Sequence, residues 1–317
     1  GSMSDLLIEL CIFLVSALVL WWGTGLVVGA ITSVARSLHI SAFTLSFFVL
    51  GIMTSLPETT IGITALYRDE ASFMVGNLIG GTLVVFLLVI PLLGLFGSSV
   101  NLPKVMHRKQ LILSLVTILA PALLIADRTL HIWEGVLLVI LYLVLFVVLS
   151  RKESLYEKIV SRLTSLTHKS EHRFIKVVAG VVIILIASQF MVNSAEYFAT
   201  TFDWSPFVVG LIIVSLGTNI PELSLVLRAS LSGKSEVALA DYIGSAATNT
   251  LLIGLFTIFN QGSITLPNHA LVRIVILASS LLLFYIFIRS QKKLTKIEAL
   301  VLLLIYVIFV VIEIGQA

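Results

Sequence analysis

Apolar runs of about 20 residues or more, parted by short polar breaks, follow one another from end to end of the chain. Each is long enough to cross a bilayer as a helix. They fall at 6–33, 40–67, 73–97, 109–126, 131–150, 174–200, 206–231, 237–260, 268–288 and 297–315. This pattern predicts an all-α integral membrane protein with ten transmembrane helices. One sizeable polar stretch interrupts it, at 151–173, where Leu155, Ile159, Val160, Leu163 and Leu166 are scattered among charges. That stretch reads either as a short amphipathic helix on the membrane surface or as a mobile linker.

The two sides of this stretch repeat each other. A constant offset of 164 pairs Ser41 with Ser205, Phe43 with Phe207, Thr54 with Thr218, Pro57 with Pro221, Glu58 with Glu222, Ala65 with Ala229, Ile79 with Ile243 and Gly80 with Gly244, without a gap. The chain therefore divides into a first five-helix repeat at 4–150, a linker at 151–173 and a second five-helix repeat at 174–317. Because five is odd, the second repeat enters the membrane from the opposite side. This inverted topology carries a two-fold axis in the membrane plane, and sites in such proteins lie at the midplane between the repeats.

Composition and charge agree with membrane spans. The chain is 58% hydrophobic and 12% charged, where a soluble domain would carry about 25% charge. A pI near 9.0 does not point to nucleic acid, because the basic residues sit in short loops between apolar runs. With ten spans, 17 Lys and Arg fall on one side, against Arg68, Arg128 and Arg273 on the other. The positive-inside rule then places both termini outside and the 151–173 linker in the cytoplasm, in a cell inner or plasma membrane. Gly1-Ser2-Met3 reads as a tag remnant, no cleavable signal peptide is expected, and the lone Cys11 cannot form an internal disulfide.

The informative polar residues lie inside the apolar runs. Thr54-Ser55-Leu56-Pro57-Glu58 is matched by Thr218-Asn219-Ile220-Pro221-Glu222. A carboxylate within a span is costly, so a pair at equivalent positions points to a functional site. The proline before each glutamate removes a backbone donor, breaks the helix and frees carbonyl oxygens beside the acid. Carboxylate, hydroxyl and carbonyl oxygens gathered at such a break suit a hard cation such as Ca²⁺. Past each glutamate a second helix is expected to open on a Gly-rich turn, Gly76-Asn77-Leu78-Ile79-Gly80-Gly81 in one half and Ala240-Asp241-Tyr242-Ile243-Gly244-Ser245 in the other. Gly80 and Gly244 serve either close packing or the site itself. Ser245 and Asn249, four apart, either aim two oxygens at one point or hydrogen-bond between helices. The candidate cation ligands are thus Glu58, Glu222, Thr54, Ser55, Thr218, Asn219, Ser245 and Asn249, with Asn77 and Asp241 as accessory positions. Glu196 reads as a gating or ion-path residue or as a plain interfacial one. Asp69 and Glu70 are expected to be solvated in a loop, and Glu313 to be anchored at an interface.

The two segments resemble the paired α-repeats of the cation/Ca²⁺ exchanger superfamily, in which a G-T-S-L-P-E type motif precedes G-N-x-x-G-S-x-x-x-N or its Asp variant. The matching residues are Thr54, Ser55, Pro57, Glu58, Asn77 and Gly80, then Gly217, Thr218, Pro221, Glu222, Gly244, Ser245 and Asn249. Trp21-Trp22-Gly23-Thr24-Gly25 and Asn193-Ser194-Ala195-Glu196 are similar to the family's first and sixth spans. The resemblance implies that those two long helices slide across the core to switch access. It also marks departures. Gly81 stands where the family has Ser, Val85 where it has Asn or Asp, Asn219 where it has Ser, Asn249 where Na⁺/Ca²⁺ exchangers often have Asp, and Asp241 where it usually has Asn. Gly81 and Val85 remove oxygens near the family's Na⁺ sites, which leaves the third span without a side-chain oxygen there. Protonation of the paired Glu58 and Glu222, competing with the metal, is the natural substitute for Na⁺ coupling.

These readings converge on a secondary antiporter that exchanges Ca²⁺ or a related divalent cation against Na⁺ or H⁺ by alternating access. Altered ion selectivity and a transport-inactive ion-binding relative are the alternatives. An intramembrane enzyme is not expected, since H-E-x-x-H and G-x-S-x-G are both missing from the sequence. No covalently bound cofactor is expected, and the partners are inorganic cations and the lipid bilayer.

Overall fold

In lipid every backbone polar group must be satisfied internally, so long apolar runs fold as helices and irregular backbone survives only where protein covers it. The computed structural model describes residues 3–36, 47–48, 51–96, 106–150, 171–220, 222–223, 226, 235–267, 270–291 and 294–316. Among these, eight helices are long and apolar enough to cross a membrane: Met3–Gly23, Ala71–Phe96, Arg108–Asp127, Ile132–Ser150, Val178–Phe202, Ala238–Phe259, Val272–Arg289 and Lys296–Gly315. Within the expected runs at 40–67 and 206–231 the described backbone is broken into short helices. Residues 151–170 of the polar stretch lie outside the described residues.

The chain opens with α1 (Met3–Arg36). The first broken segment holds α2 (Gly51–Thr54) and α3 (Leu56–Tyr67). Next come α4 (Ala71–Val84), a π-helical turn (Val85–Val89) and α5 (Ile90–Phe96), then α6 (Arg108–Leu124) and α7 (Ile132–Ser150). The second half starts with α8 (Glu171–Phe202). Its broken segment holds α9 (Pro206–Val209), a π turn (Gly210–Val214) and α10 (Ser215–Thr218). The chain closes with α11 (Ser235–Phe259), α12 (Ala270–Gln291) and α13 (Lys296–Gln316). Two short strands, Thr129–Leu130 and Ile264–Thr265, pair antiparallel and tie the α6–α7 loop to the α11–α12 loop.

Local chemistry sets several helix starts. Ser205 caps α9, its hydroxyl accepting from the Val208 amide at 3.3 Å with Pro206 next in line. Thr295 and Glu298 form a reciprocal capping box before α13: the Thr295 amide donates to Glu298 Oε2 at 2.8 Å and the Glu298 amide to Thr295 Oγ1 at 3.3 Å.

Burial divides the helices into layers. Of the apolar windows, 78% is buried in both the α4–α5 segment and α11, against 28% in α1 and α13. The first two form the centre; α1 and α13 turn Leu7, Leu14, Leu18, Leu300, Leu304 and Val311 outward. With 34 and 32 residues, α1 and α8 are each about 50 Å long. A hydrocarbon layer of about 30 Å accommodates such helices by tilt. They pack chiefly on each other, and α8 also packs on α3.

The Gly-rich segments are not turns. Residues 76–81 and 240–245 lie inside α4 and α11, because the backbone there is crossed at close range and needs helical regularity without side chains. A Cβ on Gly80 would fall on the Leu211 carbonyl, and one on Gly244 on the Phe47 carbonyl. Residues 47 and 211, like 80 and 244, are 164 apart, so one crossing recurs in the two halves. Packing is therefore the role of both glycines.

Two charge clusters differ from their expected places. Glu313 is not an interfacial anchor: it is fully buried, and its Oε2 accepts from Arg273 Nη2 at 2.7 Å, bridging α13 to α12. The Arg273 guanidinium also lies 4.7 Å from the centre of the Phe207 ring. Elsewhere Arg68, just past α3, donates to Asn193 (2.6 Å), Glu196 (2.8 Å) and Gln189 (2.9 Å) of α8. Thr64 and Ser188 hydroxyls, 3.3 Å apart, continue the same seam. Glu196 thus ties α8 to the end of α3. Half-buried Glu70 adds strain there, because burial and the neighbouring Glu196 raise its pKa, with Arg68 only partly offsetting them. A carboxylate whose folded-state pKa is raised stabilises the fold below its ordinary range and loses that stability as pH rises through the raised value. Glu70→Gln is expected to raise the melting temperature slightly at neutral pH and to leave it unchanged near pH 4, as thermal shift assays across pH would show.

Candidate functional site

Each broken segment aims its acid inward by the same device. In the first half the turn falls at Ser55; Pro57 sits in the first turn of α3 and Glu58 follows it, buried. In the second the turn falls at Asn219, after α10, and Glu222 is fully buried; Pro221 lies outside the described residues. Proline is tolerated at a helix start, where its missing donor is an orphan anyway. Backbone carbonyls of the preceding turn also accept side-chain hydrogen bonds. Gly51 O accepts from Ser55 Oγ at 2.8 Å and from Thr54 Oγ1 at 3.3 Å. Ser215 O accepts from Asn219 Nδ2 at 2.8 Å and from Thr218 Oγ1 at 3.3 Å.

The two halves then interlock around the acids. Thr218 stands beside Glu58, and Thr54 beside Glu222, so each repeat's threonine serves the other repeat's glutamate. Ser245 Oγ donates to Glu222 Oε1 at 3.3 Å and lies 3.4 Å from Ser55 Oγ. Thr218 Oγ1 donates to Asn77 Oδ1 at 3.4 Å. The Tyr242 hydroxyl, donating at 3.0 Å to the Glu222 main-chain carbonyl, holds that segment against α11. Glu58 and Glu222 face each other closely enough to interact electrostatically. Glu58 Oε2, Glu222 Oε2, both Asp241 carboxylate oxygens and Asn249 Oδ1 are buried and accept no hydrogen bond. Buried polar atoms of this kind are costly unless a partner completes them. Among the described residues no three His, Cys, Asp or Glu side chains converge as a metal cluster. Cation binding here would accordingly combine paired carboxylates with hydroxyl and amide oxygens.

All ten candidate residues are buried at this interface of the two halves. Asn249 is the one that spends its amide between helices: Nδ2 donates to Leu78 O and to Thr82 Oγ1, both at 3.2 Å, leaving Oδ1 free. Thr82, next to Gly81 in the third span, is thus tied to Asn249. It is the residue that sequence reasoning missed, and its signal was a hydroxyl next to Gly81 in an otherwise apolar helix. Gly81 is lined by amides, since a Cβ there would lie 3.2 Å from Asn219 Nδ2 and 3.3 Å from Asn249 Nδ2. Asn219 and Asn249 thus crowd toward the place of the side chain that Gly81 lacks. Val85, buried, has α-helical backbone and donates its amide to Gly81 O, so it lies one helical turn beyond Gly81, and the π turn runs on from it.

Comparison with known proteins fits this architecture. The family model described as "Sodium/calcium exchanger protein" matches twice, over residues 8–151 and 172–315. The putative antiporter CaxA of Alkalimonas amylolytica is 28% identical, over 95% of this chain and 97% of that protein. The sodium/calcium exchanger MaX1 of Methanosarcina acetivorans is 33% identical over 41% of this chain and 37% of its own length. Solved structures of the sodium-calcium exchanger NCX_Mj share the fold, one of them with a TM-score of 0.65 at 22% identity, covering 96% of this chain and 97% of that one. With both halves matched and the membrane helices in place, the chain belongs to the sodium/calcium exchanger protein family.

Proposed function

We propose that the protein is a secondary antiporter that moves Ca²⁺, or a related divalent cation, against H⁺ or Na⁺ by alternating access. The observation that carries this reading is the pair of buried glutamates, one from each half, each with an oxygen that accepts no hydrogen bond and each beside the other half's threonine. Glu58, Glu222, Thr54, Ser55, Thr218, Asn219, Ser245 and Asn249 supply the ligands, with the glutamates neutralising the divalent charge. The helices form ten spans in two inverted five-helix repeats, 4–150 and 174–317, with the 151–173 linker cytoplasmic and both termini outside. In this reading α1 and α8 move as a pair over the core, and the Arg68–Glu196 seam holds one position of that movement. Family membership and the names of its relatives support cation exchange. Proton coupling is favoured over Na⁺ because Gly81 contributes no hydroxyl and two amide nitrogens crowd its place. The deciding experiment is ⁴⁵Ca²⁺ flux in proteoliposomes under separately imposed Na⁺ and H⁺ gradients. Flux under neither gradient, with binding retained, would favour a transport-inactive relative.

The Gly81 environment yields a narrower expectation. In Gly81→Ser the new hydroxyl can accept from the Asn219 and Asn249 amides and adds an oxygen to the cavity wall. The variant should remain folded and show increased Na⁺ sensitivity of Ca²⁺ uptake. Robust Na⁺-driven uptake by the unmodified protein would overturn the proton-coupled reading.

A further inference from the structure

The family ligand pattern leaves one buried acid without a role. Asp241 is fully buried in α11, and neither of its carboxylate oxygens accepts a hydrogen bond. Its polar neighbours are Glu222, which repels it, and Thr54. Glu222 is therefore common to two carboxylate pairs, one with Glu58 and one with Asp241. Three acids do not converge on one point among the described residues, so a single ion does not take all of them at once. The offset of 164 makes Asn77 the counterpart of Asp241. There Thr218 donates to the neutral Asn77 amide oxygen at 3.4 Å; on the other side Thr54 faces a carboxylate. The two sides of the site are alike in shape and unlike in charge.

We propose that Glu222, Asp241 and Thr54 form a second position for a hard divalent cation, beside the Glu58–Glu222 position and sharing Glu222 with it. Two carboxylates and a hydroxyl are hard oxygen donors suited to Ca²⁺ or Mn²⁺. A divalent ion between them relieves a like-charge contact that a buried environment otherwise makes costly. An ion can pass between the two positions without leaving Glu222. Because Asn77 is neutral, this staging position exists on one side of the site only.

The inference rests on the reading that Glu222 binds the transported cation, and the test separates the two. Mn²⁺ binding to purified protein is measured from the loss of the free-ion EPR signal for the wild type, Glu58→Gln, Asp241→Asn, the Glu58→Gln/Asp241→Asn double variant and Glu222→Gln. Glu58→Gln should keep Mn²⁺ binding weakened about 10- to 100-fold, within the range that ligand charge governs in oxygen-ligated sites. The double variant and Glu222→Gln should lose it. Asparagine already occupies the matched position 77, so the amide should fold, and Asp241→Ser provides a second neutral variant. Equal binding by Glu58→Gln and the double variant, with the wild type binding and Glu222→Gln not, would overturn the second position alone. No Mn²⁺ binding by the wild type would overturn the proposed function and this inference together.

Discussion

Replacing either Glu58 or Glu222 by Gln should lower Ca²⁺ flux in proteoliposomes about 100-fold or more, while the protein stays monodisperse. Glutamine keeps the size and one carbonyl oxygen but removes a unit of charge, and ligand charge alone moves Ca²⁺ affinity over several orders of magnitude. The fold should tolerate the change, since a buried amide is less costly than a buried unpaired carboxylate. An equal loss in both variants is expected because each glutamate is set by the same device, a break one turn before it and a threonine from the other half beside it. Unchanged flux in both would remove the acids from the transport site.

Gly244→Ala should damage the fold itself, whereas the same change at Gly81 should be tolerated. A methyl on Gly244 meets the Phe47 carbonyl, and neither α11 nor the crossing segment can yield as a side chain would. Overpacking in a core typically costs about 1–3 kcal/mol, and a clash with backbone belongs at or above that range. At Gly81 the nearest atoms are amide ends at 3.2 and 3.3 Å, which can shift by a few tenths of an ångström. Purified yield and melting temperature in detergent check the contrast; similar stabilities for the two variants would contradict the close backbone crossing.

Much of this was legible in the sequence for a physical reason. Membrane spans announce themselves by length and polarity, and an acid after proline within an apolar run has few structural excuses. Both breaks and the two acids beside them were visible in that way. The rest depended on relations between distant segments. The Gly-rich runs looked like turns because glycine count does not distinguish a loop from a helix crossed by another backbone. Arg273 and Glu313 looked interfacial because each lies near a helix end; their mutual burial is fixed only by the packing of α12 on α13. The π turn that runs on from Val85 left no sequence mark, although the helical turn from Gly81 to Val85 keeps the spacing read from the sequence. Thr82 escapes a position-by-position match between the halves, because Asn249 is met by the residue next to Gly81.

The Arg273–Glu313 pair also bears on how the chain is assembled. Arg273 and Glu313 pair when α12 and α13 lie side by side, and ionisable side chains within spans are costly and commonly pair with one another. The last two helices are therefore best delivered to the bilayer as a preformed hairpin, joined by their short connection, rather than one after the other. Synthesis must reach residue 313 before Arg273 gains its counter-ion, 40 residues downstream. Until then the nascent protein lacks the ion pair that joins its last two helices, a mark by which incomplete chains differ from finished ones.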